Sequence, residues 1–130
     1  MNRWTVSLAL AIVASLSSAT LAHEGESHGG GQEHGGATQV VTGEVVDLAC
    51  YLGEGARGAG HRECAEKCIT SGLPVGIKTA DRLYLVIGGE HGPANKALAS
   101  LAAKTVEAEG KVTERDGVHL LALQKVTVKE

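Results

Sequence analysis

The sequence predicts a small, mainly β domain: five short strands in a barrel, one helix between the third and fourth strands, and a second, cysteine-bearing helix inserted after the first. Three observations carry this. From residue 39 onward, apolar residues recur with a period of two in short runs separated by turn residues, the pattern of half-buried strands. Packing must be aliphatic, because beyond the amino-terminal leader only Tyr51 and Tyr84 are aromatic and there is no Phe. Finally, Cys50, Cys64 and Cys68, all the cysteines of the chain, fall with His61 inside nineteen residues between the first and second strands.

Residues 1–22 read as a secretory signal. Arg3 supplies the positive start, Val6 to Leu16 the apolar run and Thr20-Leu21-Ala22 the small-residue exit. The run is too short and too interrupted by Ser to be a permanent membrane span. Cleavage after Ala22 removes Arg3 and no acid, taking the formal charge from −3 to −4 and leaving 108 residues, enough for one domain. The expected location is therefore periplasmic or extracellular, where thiols persist only if paired, metal-bound or kept reduced. An acidic chain with few aromatic rings lacks what nucleic-acid binding requires.

Residues 23–38 have no apolar periodicity and are rich in Gly, so they read as a flexible arm carrying His23, His28 and His34 among Glu24, Glu26 and Glu33. A new amino terminus at His23 would chelate copper through its amine and ring, and His28 and His34 add imidazoles suited to copper, nickel or zinc. The alternative is a solubilising linker.

The domain then occupies residues 39–130. Val41, Gly43 and Val45 alternate with Thr42 and Glu44 in a first strand that is expected to run on through Cys50 and Tyr51, with Gly43 marking a bend or bulge. Residues 53–60 read as a loop. The segment from His61 to Ser71 reads as a helix stopped by Gly72, with Pro74 beyond. Pro74 to Lys78 and Leu83 to Ile87 form two strands around a turn at Thr79 to Arg82. Pro93 suits a helix's first turn, and Ala94, Ala97, Leu98, Leu101 and Ala102 then share one face. Val106, Ala108, Gly110 and Val112 alternate along a fourth strand. Asp116-Gly117 marks a tight hairpin, and Val118 to Val128 forms a fifth, central strand.

Five strands with a helix between the third and fourth resemble the OB-fold, a partly open five-stranded barrel. VVTGEVVD at the start and TVEAEGKVTERDGVHLLALQKV at the end carry the likeness, which also extends to small secreted OB-fold proteins of bacteria. The resemblance implies a ligand-binding face flanked by the loops after the first and fourth strands. His119 would then lie near that face, and open strand edges would permit dimerisation. Fold likeness assigns no activity.

The chemistry lies in the insertion. On a helix, His61, Cys64 and Cys68 occupy positions i, i+3 and i+7, one stripe two turns long. Cys50 at the first strand's end can face that stripe, giving a Cys3His ligand set for zinc or copper. An odd number of thiols also fits a disulfide from Cys50 to Cys64 or Cys68 plus one free thiol, stapling the helix to the barrel. Gly53, Gly55 and Gly58 match a GxGxxG pattern, but the domain has no room for a doubly wound sheet. No CxxC redox pair or CxxCH haem motif is present. The expectation is a metal-binding protein without catalytic activity, its partners being the ion and possible envelope proteins. The competing class is a disulfide-stapled module recognising a small molecule, peptide or envelope partner, and a thiol-based enzyme is a third.

Overall fold

The computed structural model describes residues 36–130, so the leader and the arm histidines His23, His28 and His34 lie outside the described residues. Five strands, β1 (Ala37–Asp47), β2 (Val75–Lys78), β3 (Leu83–Gly88), β4 (Thr105–Arg115) and β5 (Val118–Val128), close into a barrel in the order β1-β2-β3-β5-β4. Neighbours are antiparallel except β3 and β5, which are parallel. The mainly β class and the OB-like arrangement expected from the sequence are therefore present, and β5 is central.

The barrel is closed rather than partly open, because β1 is long enough to pair twice. Its first part lies against β4, from Ala37↔Val112 to Glu44↔Thr105, and its last part against β2, from Glu44↔Lys78 to Asp47↔Val75. Every described strand thus has two neighbours, although residues 37–43 of β1 and 125–128 of β5 pair with β4 alone. Gly43 sits at the changeover, where a Cβ would stand 2.6 Å from the Lys78 carbonyl oxygen. The bulge itself lies elsewhere, as a register shift between Glu109 and Gly110. Asp116 (φ 52°) and Gly117 (φ 80°) both adopt left-handed backbone, as the tight β4–β5 hairpin demands.

Among the described residues three helices lie outside the sheet: α1 (Leu48–Glu54), α2 (Arg62–Thr70) and α3 (Asn95–Leu98), with 3-10 turns at Ala59–His61 and Ala99–Leu101. Helix α1 corrects the sequence reading, which continued β1 through Cys50 and Tyr51. The strand stops at Asp47, whose side chain caps a new helix. The helix expected at Pro93 also starts later, at Asn95, because Pro93 forms a bridge with Ile87. Its buried face comprises Ala94, Leu98 and Ala102, with Ala99 and Leu101 packed against the core, while Ala97 is exposed.

The core gathers Val41, Val45, Ile77, Val86, Val106 and Leu121 from the strands, with Ile69 and Ala65 from α2 and Leu98 from α3. Ala65 and Ile69 are four apart, so one face of α2 seats on the barrel. Cys64 and Cys68 each precede one of these anchors and so stand at the edge of the buried face. The end of α2 is closed by Gly72 (φ 100°): its N–H donates to the Ile69 carbonyl at 3.0 Å and that of Leu73 to the Cys68 carbonyl at 3.1 Å. Asn95 adds a clamp, its Nδ2 donating to the carbonyls of Ile69 (2.8 Å) and Leu73 (2.7 Å).

Candidate functional site

The site is assembled around Asp47, the last residue of β1 and the cap of α1. Its exposure is 0%, and it is the one buried polar or charged residue among the described residues. A carboxylate is costly to bury unless its oxygens are engaged. Here Oδ1 accepts the Cys50 N–H at 2.8 Å and Oδ2 accepts from His61 Nε2 at 3.1 Å. One side chain therefore fixes the first turn of α1 and orients the imidazole ahead of α2.

The chain between these helices is folded back by two left-handed glycines. Gly55 (φ 71°) ends α1 by donating its N–H to the Tyr51 carbonyl at 2.9 Å. Gly58 (φ 79°) donates its N–H to Glu44 Oε1 on β1, and its own carbonyl accepts the His61 N–H at 2.9 Å. Residues with a Cβ are strained at such positive φ values, so glycine is what lets so short a connection return to the strand it left.

This folding brings the candidate ligands into two triads that share Cys50. The Sγ atoms of Cys50, Cys64 and Cys68 all lie within 4.8 Å of one another, and so do ligand atoms of Asp47, Cys50 and His61. All three cysteines are free; Cys64 is exposed, Cys50 and Cys68 half-buried. The predicted stripe on one helix is not how His61 arrives. It caps α2 from within a 3-10 turn (φ −102°, ψ −1°) and turns to Asp47, standing with Cys50 rather than in the group of Cys64 and Cys68. Cys50 likewise approaches from α1 and not from a strand end.

Two of the thiols, Cys50 and Cys68, are raised above the ordinary cysteine value. Cys50 is pushed up to about 12, first because Asp47 accepts its proton in a hydrogen bond, then through desolvation and the negative charge of Asp47 and the other two cysteines. Desolvation chiefly raises Cys68, with repulsion from Cys64 and Asp47 adding to it. Such thiols are poor nucleophiles at neutral pH, and a soft cation must displace their protons to bind.

Sequence reasoning singled out the three cysteines and His61 and missed Asp47. The available signal was positional: an Asp ending a Val-rich strand immediately before Leu-Ala-Cys-Tyr-Leu is a helix cap. His119 stands apart, pairing with Tyr84 across β3 and β5, its ring 5.6 Å from that of Tyr84 and its Nδ1 3.5 Å from Glu114. The hollow on the outward side of α2, lined by Glu63, Glu66, Lys67, Thr70 and Ser71, includes none of the sulfurs. Comparison of the chain with protein-family models, curated proteins and solved structures finds no match, so function must be argued from these side chains.

Proposed function

We propose that this is an exported, non-catalytic metal-binding protein that sequesters or hands over zinc or copper. The observation that supports it is the convergence of three free thiols from two helices, their Sγ atoms mutually within 4.8 Å. Zinc–sulfur bonds of about 2.3 Å in a tetrahedral site put sulfurs about 3.8 Å apart, so no pair of sulfurs needs to close by more than about 1 Å. His61 and Asp47 adjoin through Cys50 as further donors, and a carboxylate holding an imidazole is a common support for a metal ligand. His23, His28 and His34 are proposed as a weaker capture site in the arm, and an envelope protein as the partner that supplies or receives the ion.

The same closeness of sulfurs favours one competing reading, a disulfide involving Cys50 that staples α1 to α2 in a binding module without metal. The raised thiols of Cys50 and Cys68 oppose disulfide exchange and metal ligation alike, since both need the thiolate, and so do not separate the two readings. Thiol counting by mass spectrometry of the purified, unreduced protein, paired with elemental analysis, separates the two. Three free thiols and about one zinc or copper per chain are expected. A Cys50 disulfide with no retained metal sinks the proposal. Deleting residues 23–36 should lower copper uptake; unchanged uptake reduces the arm to a linker.

A further inference from the structure

We infer that the cargo is a monovalent thiophilic ion, Cu(I), held by the three sulfurs of Cys50, Cys64 and Cys68 alone. This rests on the proposed metal site and narrows it. Zinc sites that retain an ion structurally are almost always four-coordinate, whereas sulfur-only donor sets suit Cu(I). Here no fourth side-chain donor belongs to the three-sulfur group among the described residues. His61 Nε2 bonds to Asp47 Oδ2 at 3.1 Å, and the imidazole stands with Cys50 and Asp47, outside the three-sulfur group. Neither ring nitrogen of His61 lies within 4.8 Å of all three sulfurs, so the bond to Asp47 positions the imidazole without completing the sulfur set. Asp47 is likewise outside the three-sulfur group, its Oδ1 accepting the Cys50 N–H that begins α1.

Asp47 and His61 are therefore positioning residues. The carboxylate fixes Cys50 at the start of α1, and the imidazole anchors the turn from which α2 presents Cys64 and Cys68. Cys64 is exposed, so an ion enters and leaves through its sulfur without any opening of the barrel. No electron changes hands: each thiol that ligates gives its proton to water as its S–Cu bond forms. On transfer, the acceptor thiolate's bond to copper forms as a protein sulfur's bond breaks, and that sulfur regains a proton from water.

The test is an anaerobic titration of the reduced full chain with Cu(I) against a chromophoric Cu(I) chelator, followed by X-ray absorption at the copper edge. A parallel titration uses Zn(II), and both are repeated on His61→Gln, whose amide still donates to Asp47. The expected result is one Cu(I) with three sulfur neighbours and no nitrogen. His61→Gln should change the affinity by less than about threefold, and about a hundredfold excess of Zn(II) should fail to displace copper. A nitrogen neighbour that disappears in His61→Gln, or Zn(II) that competes on equal terms, overturns the Cu(I) assignment and leaves the broader metal site standing. If neither ion is retained, both fall. Circular dichroism of the metal-free variant confirms that it is folded before either outcome is scored.

Discussion

At the scale of single residues, Asp47 decides how the thiols behave. Its carboxylate caps α1, holds His61 and keeps the proton on Cys50, whose thiol it pushes up to about 12. Alkylation of the metal-free protein, followed site by site in peptide maps, should modify exposed Cys64 first and Cys50 last. Asp47→Asn keeps a capping oxygen but removes the charge, so Cys50 should become reactive at a lower pH than in the parent. Stability follows the same linkage. A thiol raised in the folded state stabilises below its unfolded value of 9.0, and that contribution is lost as the pH climbs from 9 towards 12. Thermal melts of the metal-free protein should therefore fall through that alkaline window, and Asp47→Asn should weaken this pH dependence. Cys50, Cys64, Cys68 and His61 were legible in the sequence because soft ligands so close together are uncommon. Asp47 was missed, because its role depends on burial and its one sequence signal, an Asp before a short apolar run, reads equally as a strand continuing past Val45-Val46.

At the scale of elements, the position of the sulfurs depends on how α2 is pinned at both ends. Ala65 and Ile69 seat it, His61 ties its start to β1, and Asn95 bonds its last carbonyls from α3. Asn95→Ala leaves the Ile69 and Leu73 carbonyls without those donors and should cost about 1 kcal/mol in a denaturant titration, with the slope unchanged. The same variant should raise amide exchange at the carboxyl end of α2 while sparing β4 and β5. Gly72 and the 3.6-residue period made this helix legible from sequence. Helix α1 was hidden because Leu48-Ala49-Cys50-Tyr51-Leu52 is short and uniformly apolar, and such runs read equally as strand or helix. Only the Asp47 cap and the left-handed Gly55 distinguish them.

At the scale of the whole molecule, a closed barrel carries a small two-helix insertion at the end of β1, and the two differ in how they are stabilised. The barrel is an unbroken hydrogen-bonded cycle around an aliphatic core, and its closure requires β1 to pass from β4 to β2 beside Gly43. Alternation along β4 and the Asp116-Gly117 turn made most of that cycle legible. Closure was not legible, since double pairing by β1 depends on strand length and curvature rather than on side-chain pattern. Gly43→Ala would push a methyl towards the Lys78 carbonyl and should cost about 1–3 kcal/mol in global stability, as overpacking does. The insertion, by contrast, is held by capping bonds, left-handed glycines and two anchor side chains, which places it at the low-stability end of the fold. Ligands that bind only the folded arrangement stabilise it by mass action, and here the protein donors proposed for the main site lie in residues 47–68. Loading metal should therefore slow amide hydrogen exchange across α1, the Gly55–Gly58 turn and α2, and a chelator should reverse it. Exchange in β4 and β5 should change little, because the barrel is closed without the ion. Uniform protection of the whole chain would instead mean that the ion and the barrel fold as one unit, and that the insertion contributes to the barrel's own stability.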